Sequence, residues 1–434
     1  MHGWILTISP TIKLGVALVG IVSLMRGRVP MGAALLVGAL LLALFFPMPW
    51  SVAAEAAVLG LIDDQAIFLL LIVVGLLVFS AALNETGQIQ RIIESFQALV
   101  GTSRMGLVAF PALIGLLPMP GGAIFSAPMV KASVEEADLS PARVMAANYW
   151  FRHVWEYWFP LYPGVITALT LTKMPTAKYI LVQFPMTLWS LAWGYAIILH
   201  SIRLDKVRRR DYSGAGLARF LRELSPILIV VVAVIALSPL ADAATRLLAS
   251  ENMVLRHSAI LAAVTLAMAW LFRRRGLTWR TLGRIFFRRQ ILDMAFLVFG
   301  LMVFKSIQDA CGATAALRDE LTGKNVPFVL VVALLPFATG LVIGVAVGFV
   351  GASFPLVIAL VAAVPETERL AYYFLAYVMG YVGMMLSPVH LCLVITNEYF
   401  KSRLLRVYAF LIPLSLSVVV FGGGLFALYL WILR

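Results

Sequence analysis

The sequence contains a series of apolar stretches that are each long enough to cross a membrane. About 20 apolar residues span the hydrocarbon core of a bilayer, and residues 404–432 form one such stretch. Of the 434 residues, 62% are hydrophobic and 13% are charged, whereas about 25% of a soluble domain is charged. A soluble fold of this length could not bury so much apolar surface, and a disordered chain would need lower hydrophobicity. The sequence therefore predicts an all-α polytopic membrane protein.

The apolar stretches are of three kinds. The uninterrupted ones predict single spans at residues 4–25, 31–48, 65–84, 176–201, 224–248, 256–272, 291–309 and 404–432. Prolines interrupt two further spans, at residues 142–172 and 367–399. Two apolar regions, 105–130 and 327–360, are broken by glycine and proline, and we interpret them as re-entrant hairpins that do not cross.

The distribution of charge predicts the orientation of the chain. The net charge is +13, and arginine and lysine concentrate in two loops, at residues 203–222 and 273–289. Basic loops stay on the cytoplasmic side of a membrane, so both termini are expected outside. This topology accounts for the positive charge, and we expect no nucleic acid as a partner. The first apolar stretch lacks a basic n-region and a small-residue cleavage site, so we expect it to be retained.

The two halves of the sequence resemble each other at a constant offset. Pro111 and Pro336, and likewise Pro163 and Pro388, are separated by 225 residues, and several glycines and aliphatic residues match at the same offset. Each half would contain five crossings, and an odd number inserts the second half upside down, which predicts an inverted repeat. Chance matching of apolar residues is the alternative.

The repeat predicts three parts of the chain. Residues 1–201 form the first repeat, with scaffold helices at 1–48 and 176–201 and transport elements at 65–172. Residues 202–223 form a basic cytoplasmic linker. Residues 224–434 form the second repeat, with scaffold helices at 224–272 and 404–432 and transport elements at 291–399.

The tips of the hairpins are the first candidates for a binding site. Backbone groups left unpaired at a tip are costly in lipid unless they face an ion, water or a polar substrate. The second tip is expected among Gly344, Gly348, Gly351 and Ala352, with a break within residues 348–355. The candidate substrate contacts at the two tips are Pro120, Gly121, Gly122, Ser126, Gly351 and Ser353. Ser126 and Ser353, with backbone carbonyls, are the candidate Na⁺ ligands. Kinked helices that pack through small residues are the alternative.

The first interrupted span carries ionisable residues at bilayer depth. Ser140 and Pro141 predict a helix start, because serine caps helices and proline suits the first helical position. Arg152 and Glu156 lie four residues apart, so they share a helix face and could form a structural ion pair. The functional interpretation makes Arg152 and Tyr162 substrate contacts and His153 and Glu156 candidate proton carriers.

The second interrupted span offers fewer polar groups. Ser387 and His390 flank Pro388 and are candidate substrate contacts, although a hydrogen-bonded interior histidine is an equally good interpretation. Cys311 and Cys392 are the only two cysteines, and they form neither a disulfide framework nor a paired metal motif. Motifs for ATP binding or common hydrolytic chemistry are absent, so we expect neither an enzyme nor a cofactor.

The sequence resembles the ion transporter superfamily, and within it an uncharacterised prokaryotic family of integral membrane proteins allied to gluconate permeases and divalent anion:sodium symporters. The resemblance rests on residues 117–122 (LPMPGG), 126–128 (SAP), 152–158 (RHVWEYW) and 387–391 (SPVHL), and it covers almost the whole chain. It implies a homodimer in the inner membrane, with a fixed scaffold and a moving transport domain. The symporter branch carries Ser-Asn-Thr at its hairpin tips, where this sequence has GGA at 121–123 and GAS at 351–353.

These observations predict an ion-coupled secondary transporter of a small anionic solute that works by an elevator mechanism. The coupling ion would be Na⁺ or H⁺, and the lipid bilayer and the solute would be the partners. Two alternatives stay open. A membrane-embedded enzyme would act on a lipid-linked substrate through His153, Glu156 and His390, and a passive channel would conduct without a co-ion.

Overall fold

A computed structural model describes residues 8–27, 29–100, 105–116, 122–133, 139–200, 214–248 and 257–434. These residues form helices and short connections, and this part of the chain contains no β-strand. The helices of the first half are α1 Pro10–Arg26, α2 Met31–Phe45, α3 Trp50–Ile62, α4 Asp64–Glu85, α5 Gln88–Val100, α6 Gly106–Gly115, α7 Ala123–Ala132, α8 Pro141–Arg152, α9 Pro163–Thr172 and α10 Thr176–Gly194. The last of these continues as a π-helical turn, Tyr195–Leu199.

The second half contains a similar series of helices. They are α11 Gly214–Leu247, α12 Ser258–Arg275, α13 Trp279–Phe286, α14 Arg289–Ala310, α15 Ala313–Gly323, α16 Phe328–Ile343, α17 Ala346–Val361, α18 Glu366–Leu386, α19 Leu391–Phe400 and α20 Leu404–Leu433. The all-helical fold class predicted from the sequence is confirmed over the described residues.

Six segments of the described chain are long and apolar enough to cross a membrane. They are Asp64–Glu85, Thr176–Leu199, Gly214–Thr245, Arg289–Ala310, Glu366–Phe400 and Leu404–Leu433. Each of them overlaps a span predicted from the sequence. The predicted span 31–48 forms a shorter helix, the 15-residue α2, whereas the predicted span 256–272 forms the 18-residue α12, which ends in three arginines. The predicted span 4–25 is described from residue 8 onward.

The predicted linker, residues 202–223, is only partly a linker. Residues 202–213 lie outside the described ranges, whereas α11 begins at Gly214. This early start is stabilised by contacts with α5. The ring of Phe220 lies 4.9 Å from the ring of Phe96, and Gln88 Nε2 donates to the backbone carbonyl of Glu223 at 2.6 Å. Packing against α5 therefore extends the helix into a region that hydropathy alone assigns to a loop.

Four helices were not predicted from the sequence: α3, α5, α13 and α15. They are short, and α5 and α13 are amphipathic, with arginine and glutamine on one face and aliphatic or aromatic residues on the other. A search for long uniform apolar runs does not detect α5 and α13, because their apolar residues recur with the helical period, and it passes over α3 because that apolar helix has only 13 residues.

The helices recur along the chain with the offset seen in the sequence. Helices α4 and α14 differ by 225 residues at both ends, and α8 and α18 begin 225 residues apart. The contacts between the halves recur in exchanged form. Helix α7 packs on α19 and α17 packs on α9, while α4 packs on α12 and α14 packs on α2. The two halves are thus similar in both helix order and packing.

Candidate functional site

The first interrupted span is a broken helix, as predicted. Helix α8 begins after Ser140, whose Oγ accepts a hydrogen bond from the backbone N–H of Arg143, and Pro141 occupies its first turn. It ends at Arg152, and the chain then turns irregularly until Pro163 begins α9. The predicted cap at Ser140 and the predicted break near Pro163 are therefore confirmed.

The second interrupted span is also broken, but its break is shorter. Helix α18 ends at Leu386, Ser387 is extended with ψ of 124°, and α19 begins after His390. The residue before a proline avoids the helical region, so Pro388 fixes the extended conformation of Ser387. Ser387 and His390 at the two ends of this break are buried, whereas Pro388 and Val389 between them are exposed.

The two breaks meet in the interior of the protein. Nε2 of His153, from the first half, lies 3.0 Å from Nε2 of His390, from the second half. Beside them, Nη1 of Arg152 donates to Sγ of Cys392 at 2.8 Å. These four side chains are at most 7% exposed. The structure therefore brings together two predicted site residues, His153 and His390, that are distant in sequence.

Glu156 also belongs to this cluster. One of its carboxylate oxygens, Oε1, lies 3.8 Å from Nε2 of His153, and the residue is 7% exposed. Among the ion pairs of the described residues, Glu156 pairs with His153. Arg152 is the last residue of α8 and Glu156 follows in the irregular stretch, so the two residues do not share a helix face as predicted.

Side chains from neighbouring helices bind the irregular backbone of the first break. The hydroxyl of Tyr381 donates to the carbonyl of His153 at 3.2 Å, and that of Tyr377 donates to the carbonyl of Glu156 at 2.8 Å. The predicted site residue Tyr162 caps α9 and donates through its hydroxyl to the carbonyl of Gly115. Irregular backbone at membrane depth requires such partners, since lipid offers none.

Thr187 on α10 holds the same break from another side. Its Oγ1 donates to the carbonyl of Val154 at 2.5 Å and accepts from Nε1 of Trp158 at 2.9 Å. One hydroxyl thus joins two points of the break to a long neighbouring helix.

The first hairpin is described only on either side of its tip. Pro120 and Gly121 lie outside the described residues. Gly122 precedes the first residue of α7, and Ser126 is fully buried within that helix. The Oγ of Ser126 has no hydrogen-bond partner among the described groups. Its role as a Na⁺ ligand stays a prediction.

The second hairpin turns at the first of the predicted tip residues. The predicted break within residues 348–355 is wrong, because α17 is a continuous helix from Ala346 to Val361. The turn lies at Gly344, whose φ of +70° is readily adopted only by glycine. Gly351 and Ser353 consequently lie inside α17, and Ser353 Oγ donates to the carbonyl of Phe349 at 2.6 Å. Helix α17 contains Pro355 without interruption, so this proline does not mark the tip.

Ser387 is the polar side chain nearest to the observed tip. A Cβ placed on Gly344 would lie 2.8 Å from Ser387 Oγ, so the second hairpin approaches the second break closely. The Ser387 hydroxyl has no hydrogen-bond partner among the described residues. This serine remains a candidate substrate contact.

Three residues at the cluster were not predicted as site residues from the sequence: Cys392, Tyr377 and Tyr381. The weak signal for Cys392 is its position two residues after His390, immediately beyond a helix break. A cavity of about 450 Å³ lies elsewhere, lined by Asp63 of the α3–α4 junction and by Lys305 and Asp309 of α14 among others.

The fold and this cluster define the chain as a helical membrane-type protein with a buried polar site between two broken helices. The chain belongs to the DUF401 family, which is described as "Protein of unknown function (DUF401)" and whose family model matches residues 11–426. No curated protein matches the sequence.

Proposed function

We propose that this chain is a secondary active transporter of a small anionic solute, coupled to Na⁺ or H⁺. The observation that carries the proposal is the meeting of two broken helices, one from each half, at the His153–His390 contact. Broken helices that meet near the bilayer midplane form the substrate sites of many secondary transporters. Arg152 contributes a buried positive charge beside this contact, and it is the candidate for binding an anion.

The proposal includes an inverted repeat and an elevator mechanism. The exchanged packing of α7 with α19 and of α17 with α9 supports a two-fold relation between the halves. In this scheme each half has five crossings and one hairpin, both termini lie outside, and residues 65–172 and 291–399 move as the transport domain. The resemblance to the ion transporter superfamily, with its prokaryotic inner-membrane location, belongs to the same proposal.

A homodimer is the proposed assembly. The scaffold would comprise residues 1–48, 176–201, 224–272 and 404–432. Helix α20 supports this assignment, because little of it is buried within the chain and its apolar side chains are exposed: Leu405 by 86% and Trp431 by 78%. An apolar helix exposed in this way can contact lipid or a second copy of the chain.

The test is uptake by purified protein in liposomes. Radiolabelled gluconate, succinate and citrate are added separately, under an imposed Na⁺ gradient, an imposed pH gradient, or neither. Coupled transport predicts that one gradient drives accumulation of at least one of these acids. Uptake that merely equilibrates under every condition would indicate a channel. No uptake of any probe would contradict the proposal of an anion transporter and favour the enzyme alternative.

The role of Arg152 is tested in the same assay. Arg152→Ala should reduce uptake at least about tenfold, which corresponds to about 1.4 kcal/mol of lost interaction. Arg143→Ala, a change on the same helix away from the cluster, is the matched control and should transport normally. Arg152→Lys retains the charge and shows whether a folded protein with an altered donor geometry still transports. Normal uptake by Arg152→Ala would remove this residue from the site.

A further inference from the structure

Three metal-binding side chains lie together where the two breaks meet. One ring nitrogen of His153, one of His390 and the Sγ of Cys392 all lie within 4.8 Å of one another, and all three residues are buried. His153 follows the last residue of α8, while His390 and Cys392 lie at the start of α19. The two halves of the chain therefore contribute to one set of donors.

The hydrogen bonds around His153 prepare it as a ligand. Its Nδ1 lies 2.6 Å from the carbonyl oxygen of Tyr149, and since a carbonyl only accepts, Nδ1 carries the proton. Nε2 then presents its lone pair toward His390 and Cys392. Histidines that bind metals commonly donate the other ring N–H to a carbonyl in this way, which fixes the ring orientation and the tautomer.

Arg152 likewise prepares the sulfur of Cys392 as a ligand. Its Nη1 donates to Cys392 Sγ, and a hydrogen bond from a cationic donor stabilises a thiolate. The thiolate is the form of cysteine that binds metals. Glu156 lies on the other side, with Oε1 3.8 Å from His153 Nε2, and its ionised form would offset the positive charge that a metal ion would add.

We propose that His153, His390 and Cys392 bind a single divalent transition-metal ion of the Zn²⁺ class. Two imidazoles and one thiolate suit borderline-soft ions, whereas Mg²⁺ and Ca²⁺ prefer oxygen ligands. The bound ion would replace the direct hydrogen bond between the two histidines and tie the two helix breaks together. This inference concerns binding alone and does not rest on the proposed transport activity.

Cobalt is the probe, because Co²⁺ bound to a thiolate gives a charge-transfer band in the near ultraviolet. The full-length protein in detergent is treated with a chelator, desalted and titrated with Co²⁺. We expect one Co²⁺ per chain, the thiolate band, and displacement by Zn²⁺ but not by a large excess of Mg²⁺. Cys392→Ser should abolish the band, and His390→Asn should weaken binding by more than the roughly 10- to 100-fold that loss of a supporting partner costs.

Cys311→Ser is the matched control, because Cys311 is the other cysteine and lies outside the cluster, at the end of α14. This variant should bind Co²⁺ with the wild-type band and stoichiometry. Size-exclusion profiles and apparent Tm values show whether each variant is folded. X-ray absorption of the Zn²⁺-loaded wild type gives a result that needs no variant, and one sulfur with at least two nitrogen ligands is expected.

Three outcomes would overturn the proposal. They are no saturable Co²⁺ binding by the wild type, a thiolate band that survives in folded Cys392→Ser, and an absorption spectrum without sulfur. After any of these outcomes, the direct hydrogen bond between His153 and His390 would stand as the functional contact between the two breaks. Solute uptake could still be normal, so failure of the metal site and failure of the proposed transport function are distinguishable.

Discussion

Replacement of Thr187 by valine tests how the first helix break is held in place. The substitution keeps a β-branched side chain of similar size but removes the hydroxyl. That hydroxyl donates to the carbonyl of Val154 and accepts from the indole N–H of Trp158. Thr187 is only 1% exposed, so water cannot replace either bond. In Thr187→Val, the carbonyl of Val154 and the indole N–H of Trp158 therefore each lose a hydrogen-bond partner.

The expected loss of stability follows from these two bonds. Hydrogen bonds between membrane helices average about 0.6 kcal/mol each, so two bonds give a lower bound of about 1 kcal/mol. A buried polar group left without a hydrogen-bond partner costs about 1–3 kcal/mol, and this cost gives the upper end of the expected loss of stability. We expect the free energy of unfolding of Thr187→Val to fall by about 2 kcal/mol.

The measurement is an SDS titration of the purified protein in detergent, followed by near-ultraviolet circular dichroism. Thr170→Val is the matched control. Thr170 is fully buried, but its Oγ1 donates only to the carbonyl of Ile166, four residues earlier in the same helix. Loss of this hydroxyl should lower the free energy of unfolding by less than Thr187→Val does, because a threonine hydrogen bond to the carbonyl four residues earlier in its own helix does not stabilise the helix. If the two variants unfold with equal free energies, the assignment of Thr187 as a support of the break is refuted.

Two further predictions concern other parts of the chain. Gly340→Ala would place a Cβ against the carbonyl of Gly380 where α16 crosses α18, and should cost about 1–3 kcal/mol in the same titration. Gly75→Ala meets no atom within 4 Å, and a similar loss there would contradict this steric explanation. Partial burial raises the pKa of Glu320, but hydrogen bonds from Lys324, Ser9 and Thr11 lower the pKa to about 2. The stability from this carboxylate is present above its ordinary pKa of 4.5 and is lost as the pH falls toward 2. Between about pH 5 and pH 3, the apparent Tm of Glu320→Gln should therefore fall less than that of the wild type, and identical curves would disprove the contribution.

Much of the fold could be predicted because hydropathy reports burial in lipid directly. The long apolar runs predicted the six segments that can span a membrane, and Pro163 and Pro388 predicted the broken helices. The predicted break within residues 348–355 was wrong because proline is an ambiguous signal in membrane helices. Pro336 and Pro355 both lie inside continuous helices, where neighbouring helices can satisfy the freed carbonyls. The turn forms at Gly344, where φ is positive, and the sequence alone does not show which glycine adopts a positive φ.

The site was predictable only in pieces. Arg152, His153 and Glu156 stood out because ionisable residues are rare at bilayer depth. His390 stood out for the same reason, but its contact with His153 joins residues 237 positions apart. No local pattern contains such a contact. Cys392 illustrates the same limit, since a buried cysteine resembles any small apolar residue until its neighbours are known.

The exchanged packing of the hairpins has a consequence for the synthesis of the protein. Helix α7 leaves the ribosome long before α19, the helix of the other half on which it packs. During this interval the face of α7 that packs on α19 has no final neighbour, although α6 and α8 of the same half already pack on other parts of α7. Chains grow at about 5–20 residues per second, so the wait lasts many seconds. The first half must therefore be sheltered by lipid or by an insertion factor, and a chain that stops after α10 should be a substrate for membrane proteases.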